Sequence, residues 1–382
     1  MLCNREKCPI LEKLKFLKKL ETSEKIEGET VSVMIGHYNY PKVFAGPLTG
    51  RSLLLEKDPS NWIEKSIKEI IAYRCSLIRG KKPVKVADVN SKQVEPLQEI
   101  ALSRKEVMTE VEYFEKPKPV LSFSSTTAPY GPSAGFKKII IEENPKVPRA
   151  VDRIVNDEVK AVEAVSFLHS KGISVNQIQE LFSVGLLGIK RKLVPTRWSI
   201  TAVDDTASKN LLKKIREYKK LEDYLVFTSE YLSNHFEVIM LPASWSYEQI
   251  EYYSPGSTWV EPWEKPVIMQ DWEGFRGRKN YAENVEGGYY AARLSVTEYL
   301  EKIKRQASVI VLREIRKGYY APLGVWQVRE NVRKALESKP EKYSSFEELA
   351  EAVSSRISFK TWVKHSRLAL LEKSRKMLIK FM

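Results

Sequence analysis

A chain of 382 residues with 43% hydrophobic and 29% charged residues is long enough for a sizeable core and shows no disordered or collagenous bias. No apolar run nears the roughly 20 residues that cross a bilayer, and charged residues interrupt the N-terminus where a secretory signal would be apolar, so a cytoplasmic address follows. Three cysteines cannot build a disulfide framework here, and a net charge of +14 suggests a polyanionic partner.

In chain order, a helical run covers Leu11 to Leu20, and VSVMIG at 31–36 reads as a short buried strand before a Gly and Pro loop that ends at Leu48. Asp58-Pro59-Ser60-Asn61-Trp62 reads as a helix entry, with Ile63, Ile67, Ile70 and Ile71 at helical spacing. The Pro, Lys, Ser and Thr of 80–135 predict an extended, mobile surface segment. FKKIIIEE at 136–143 predicts a strand, and helices follow over 157–170 and 175–184. FEVIMLP at 236–242 and ASVIVLRE at 307–314, rich in Val and Ile, predict central strands. The stretch from Ser244 to Val285 between them reads as a long loop, too rich in Trp and Tyr to be disordered. The last third is mostly helical. Val325, Val328, Val332 and Leu336 form an apolar stripe, and Ser345 with Glu348 forms a capping box opening a helix to about Ile357.

Three clusters are candidates for chemistry. Arg197 with the adjacent Asp204 and Asp205 is one, because neighbouring carboxylates repel unless a cation, metal or shared proton compensates them. The alternative there is a helix entry with Asp205 as N-cap. Asp271 and Glu273 are the second, sharing one face if their stretch is extended. The third is basic: Arg293, Arg313 and Arg329, with Gly287 and Gly288 opening a helix whose free N–H groups suit an anion such as phosphate. Buried salt bridges among these same residues are the competing explanation. The charge is uneven along the chain. Residues 301–382 hold nineteen Lys and Arg against nine Asp and Glu, whereas 241–290 hold four against eight. A basic C-terminal third suits phosphate contact, and solvated helix faces are the other reading.

HYNYPKVFAGPL at 37–48, PYGPSAGFKK at 129–138, VPTRWSITAVDD at 194–205, GGYYAARL at 287–294 and GVWQVRENVRKAL at 324–336 resemble, in order, the block motifs of the archaeal Nre family. That resemblance implies a DNA-repair-associated protein that binds the sliding clamp (PCNA) through a C-terminal peptide, with no stated chemistry for its central domain. In the clamp-binding pattern, Arg375 stands where Gln is expected, Leu378 takes the aliphatic place, and Phe381 with Met382 takes that of the aromatic pair. A helix end packing on its own domain is the alternative. The resemblance also implies a cysteine-rich finger at the start, so Cys3 and Cys8 look like the tail of one, degenerate or continued upstream, with zinc as the metal and His37 as the nearest third ligand.

The expected fold is mixed α/β: a central sheet of short strands and a helical, basic C-terminal region. The expected divisions are a cysteine-containing segment over 1–20, a central domain over 21–300, the basic helical region over 301–370 and a clamp-binding-like tail over 371–382. The expected function is DNA repair at the clamp with nucleic-acid contact. An enzyme acting on a nucleotide or phosphorylated substrate is the alternative, with the arginines on phosphate and the carboxylates on a metal or as general base.

Overall fold

A computed structural model describes residues 8–18, 20–51, 56–119 and 128–380, and two compact units divide the chain between Ala207 and Ser208. Both mix helix with sheet.

The N-terminal unit runs α1 (Pro9–Leu17), β1 (Lys25–Ile35), β2 (Lys42–Gly50), α2 (Ile67–Ser76), β3 (Ile78–Lys85), α3 (Glu95–Leu102), β4 (Val107–Tyr113), β5 (Ser133–Ile141), α4 (Arg149–Val155), α5 (Ala161–Ser170), α6 (Val175–Ser183) and the start of α7 (Thr196–Ile215). The five strands close into a barrel in the order β1-β2-β3-β5-β4, antiparallel throughout except where β3 meets β5. β1 makes closure possible. Lys25–Thr30 pairs with β4, Glu29–Ile35 pairs with β2, and a register shift between Thr30 and Ser32 bends the strand from one partner to the other. Inside, the hydroxyl of Thr30 lies 2.6 Å from that of Thr49 and 2.7 Å from that of Thr109, so these buried polar groups satisfy one another. Two strands approach so closely that a Cβ on Gly46 would stand 2.1 Å from the carbonyl oxygen of Gly80. Where β1 has left β4, its exposed edge is covered by side chains: Glu180 of α6 accepts from the N–H of Val33 at 3.0 Å, and Thr196 Oγ1 accepts from that of Ile35 at 3.0 Å.

The C-terminal unit continues with the rest of α7, then β6 (Tyr224–Tyr231), β7 (Asn234–Leu241), β8 (Ser246–Tyr253), β9 (Val267–Glu273), α8 (Gly287–Ile303), β10 (Ser308–Ile315), α9 (Trp326–Glu337), β11 (Glu341–Tyr343), α10 (Phe346–Arg356), α11 (Trp362–His365) and α12 (Arg367–Lys380). Its sheet has the order β11-β6-β7-β10-β8-β9, with β10 and β8 parallel and the other pairs antiparallel. Strand alternation divides the core into two layers. Phe227, Val238, Val309 and Val311 face α8 and α9, while Val226, Ile239, Ile310 and Leu312 face Phe346, Leu349, Val353 and Trp362.

The runs at 236–242 and 307–314 form β7 and β10, which pair directly. Three expectations fail. The supposed Gly and Pro loop ending at Leu48 holds most of β2, whose Val43 and Ala45 turn into the barrel. The supposed surface segment 80–135 contains most of β3, α3 and β4, because Lys81, Pro83 and Lys85 of β3 share its outer face and mask its apolar inner positions in the sequence. The supposed loop from Ser244 to Val285 contains β8 and β9, because β8 buries Glu248, Gln249 and Glu251 in place of aliphatic residues. Asp205 is not an N-cap: α7 begins at Thr196, nine residues earlier.

Candidate functional site

The loop from Gly36 to Pro41 that joins β1 to β2 is folded back on itself. Gly36 N–H donates to the Phe44 carbonyl at 2.8 Å, Lys42 N–H donates to that of Asn39 at 2.9 Å, and Asn39 takes a left-handed conformation at φ 61°. This turn pushes aromatic rings into solvent: Tyr38 is 73% exposed and Tyr40 50%. The Tyr40 ring lies 5.2 Å from that of Trp198, itself 46% exposed on the first turn of α7 beside the exposed Arg197. The Thr196 bond to β1 holds that turn against the loop, so the blocks at 37–48 and 194–205 meet in one place. His37 packs against Tyr38 with the rings tilted and their centroids 4.1 Å apart, and burial together with the positive charges of Arg197 and Arg79 lowers its pKa, favouring the neutral imidazole.

The same surface continues onto β2 and β3. Phe44, 40% exposed, stands opposite Pro83, and Lys42 stands opposite Lys85. Lys81, two residues from Pro83 and so on the same face, is half-buried, and burial beside Arg79 lowers its pKa. It pairs with Gly135 of β5, where a Cβ would lie 3.4 Å from the Phe114 ring. No Asp or Glu occurs in residues 36–50 or in β3. The barrel's strand glutamates lie on β1 and β4, as Glu27, Glu29, Glu110 and Glu112, where Lys25 meets Glu110 at 2.5 Å and Lys137 meets Glu112 at 2.9 Å.

The residues proposed for catalysis and phosphate binding occupy other surroundings. Asp204 lies about 10 Å along α7 from Arg197, fully buried, accepting from Gln179 Nε2 at 2.9 Å, and Asp205 beside it is half-buried. In the C-terminal unit, Asp271 and Glu273 are both buried in β9. Glu273 meets Arg293 at 2.6 Å and also accepts from Tyr289 Oη at 3.1 Å and Trp245 Nε1 at 3.3 Å. Asp271 pairs instead with Arg278 at 3.0 Å and caps the N–H groups of Asn284 and Val285. Arg313 meets Glu251 at 2.9 Å and Asn234 Oδ1 at 2.9 Å; burial alone would lower its pKa, but Glu251 together with Tyr319 and Tyr253 outweighs that and the pKa rises. A Cβ on Gly288 would stand 3.1 Å from Glu251 Oε1, so the Gly287–Gly288 start of α8 abuts a carboxylate of its own chain. Arg329 is buried in α9, and its carbonyl accepts from Ser295.

Sequence reasoning overlooked Tyr38, Tyr40, Lys42, Phe44, Lys81, Lys85 and Phe114, although alternation of Lys and Phe with buried Val and Ala in KVFA was a readable sign of a two-faced strand. It also overlooked Glu248, fully buried, which accepts from Ser366 Oγ and from the N–H groups of Arg367 (2.8 Å) and Leu368 (3.1 Å) at the start of α12. Cys8 precedes α1, and Cys3 lies outside the described residues, among which no group of three or more metal-binding side chains gathers. Arg375 is exposed, 3.5 Å from Glu372; the side chain of Leu378 and all of Phe381 and Met382 lie outside the described residues. No described helix is long and apolar enough to cross a membrane.

Two family models match the chain: Archaeal Nre, N-terminal, over residues 2–260 and Archaeal Nre, C-terminal, over 273–381. Among curated proteins, the chain is 42% identical to DNA repair protein NreA of Archaeoglobus fulgidus, covering 95% of this chain and 93% of that one. It is 39% identical to DNA repair protein NreB of the same organism, over 96% and 94%, and 34% identical to DNA repair protein NreA of Haloferax volcanii, over 82% and 78%. No solved structure matches it.

Proposed function

The chain belongs to the archaeal Nre family, and on that footing we propose that it is a cytoplasmic DNA-repair protein that contacts nucleic acid and meets the sliding clamp through its C-terminal peptide. Likeness to DNA repair proteins along nearly the whole chain carries the repair role. Nucleic-acid contact draws support from the net charge of +14, which favours a polyanion through counterion release.

For the clamp, Leu378 and Phe381 supply the apolar anchors, and a few such side chains dominate the affinity of a peptide in a pocket. Arg375 in place of Gln forgoes a polar contact worth about 1 kcal/mol, so binding is weaker than that of a full motif. α12 reaches the tail from a fixed base: Leu368 and Ala369 are buried, and Glu372 accepts from Tyr224 Oη at 2.5 Å. Titrating purified clamp with wild type and with Leu378→Ala/Phe381→Ala tests this. Loss of binding in the double variant, with an unchanged unfolding transition, is expected; equal binding by both refutes the clamp contact.

A further inference from the structure

The barrel's β2–β3 face, with the β1–β2 loop and the first turn of α7, is a surface that the clamp contact does not use. We propose that this face binds single-stranded DNA, stacking unpaired bases on Tyr38, Tyr40, Trp198 and Phe44 and holding the backbone with Lys42, Lys81, Lys85 and Arg197.

Four large rings stand exposed together, at a density that a merely solvated surface does not carry. Their placement is enforced: the bonds of Gly36 and Lys42 close the loop, and Thr196 ties the Trp198 turn to β1, so the rings are presented with little ordering left to do on binding. An aromatic ring on a protein surface stacks with the flat face of a base, and a duplex hides those faces inside its own stack, so the rings favour a single strand. The cations select a polyanion over a neutral ligand such as an oligosaccharide. Lys42 and Lys85 pair across the strands beside Phe44 and Pro83, no carboxylate interrupts residues 36–50 or β3, and the barrel's four strand glutamates Glu27, Glu29, Glu110 and Glu112 lie on β1 and β4. A polyanion is therefore drawn to the face that carries lysines and no carboxylate.

The architecture agrees. A closed five-stranded barrel of order β1-β2-β3-β5-β4, with β3 and β5 parallel and α3 between β3 and β4, has the connectivity of the OB-fold, whose strand 2–3 face and β1–β2 loop hold oligonucleotides in other proteins. That likeness raises the expectation; the residues carry it.

The inference rests on the proposed nucleic-acid contact, and one experiment separates the two. Fluorescence anisotropy of a labelled single-stranded oligonucleotide is measured with the full chain, with unlabelled duplex of the same sequence as competitor. Wild type binds the single strand, and duplex displaces it poorly. Tyr38→Ala/Tyr40→Ala/Phe44→Ala, all exposed positions, weakens binding by about tenfold per stacked ring. Lys42→Glu/Lys85→Glu weakens it and makes the slope of log affinity against log salt shallower by about 1.4, two phosphate contacts at roughly 0.7 each. The same reversal at the exposed Lys146 and Lys171, outside the barrel strands, leaves the slope unchanged. Wild-type binding that survives both face variants overturns this site while leaving nucleic-acid contact standing, and equal competition by duplex overturns the single-strand preference. Absence of any binding at low salt overturns both.

Discussion

Replacing Glu273 with alanine measures what the charges buried in the C-terminal unit are for. The carboxylate sits 2.6 Å from Arg293, both side chains are fully out of solvent, and it also receives Tyr289 Oη and Trp245 Nε1. Its removal takes a carboxylate from a buried guanidinium and an acceptor from two aromatic donors. Breaking a buried pair from one side costs about 3–5 kcal/mol. For a unit of this size each kcal/mol moves the melting temperature by about 2–4 °C, so a fall of roughly 6–20 °C is expected in the calorimetric transition of that unit. Glu273→Leu/Arg293→Leu recovers most of the loss, since apolar side chains of similar volume replace a buried ion pair at little cost. A loss under about 1 kcal/mol for Glu273→Ala refutes the packing role. So does a rise in melting temperature with inorganic phosphate that wild type shows and the double variant lacks, because it makes Arg293 an anion-binding residue.

Glu248→Ala strips the acceptor from Ser366 and from two N–H groups at the start of α12, costing about 1–3 kcal/mol and speeding hydrogen exchange at Arg367 and Leu368; unchanged protection there contradicts it. Gly46→Ala forces a methyl to within 2.1 Å of the Gly80 carbonyl, and since both sides are backbone the β2–β3 seam has to part, destabilising the N-terminal unit by about 1–3 kcal/mol or more in urea titration. The Asp58 carboxyl is half-buried, which raises its pKa, but hydrogen bonds from Ser174, the Ser60 N–H and Asn176 outweigh burial and hold it below its ordinary value near 3.8. Its stabilisation is therefore complete above that value and is lost as the pH falls through the folded-state pKa, so Asp58→Asn flattens the acid side of the stability profile; an unchanged profile contradicts this.

The apolar runs 236–242 and 307–314 were legible as central strands because both faces of β7 and β10 are covered by helices. β8 was not, because its buried positions hold Glu248, Gln249 and Glu251, and the two carboxylates find partners far off in sequence at Ser366 and Arg313. Pairing of that kind leaves no local pattern. No linker marks the division of the chain into two units, since it falls at 207/208 inside a continuous helix, where neither Gly nor Pro is needed. Arg197 stood out in the sequence as a site residue, yet Tyr38 and Tyr40, near it and Trp198 in the fold, are some 160 residues away, joined to them only by closure of the barrel and the Thr196 bond.

The most direct test of DNA contact is the affinity of the full chain for labelled DNA, single-stranded and duplex in parallel, across about 50 to 200 mM salt. A steep linear fall of log affinity with log salt, with the single strand bound more tightly at every concentration, is the predicted result. An affinity that does not change with ionic strength, or no binding at the lowest salt, contradicts the account.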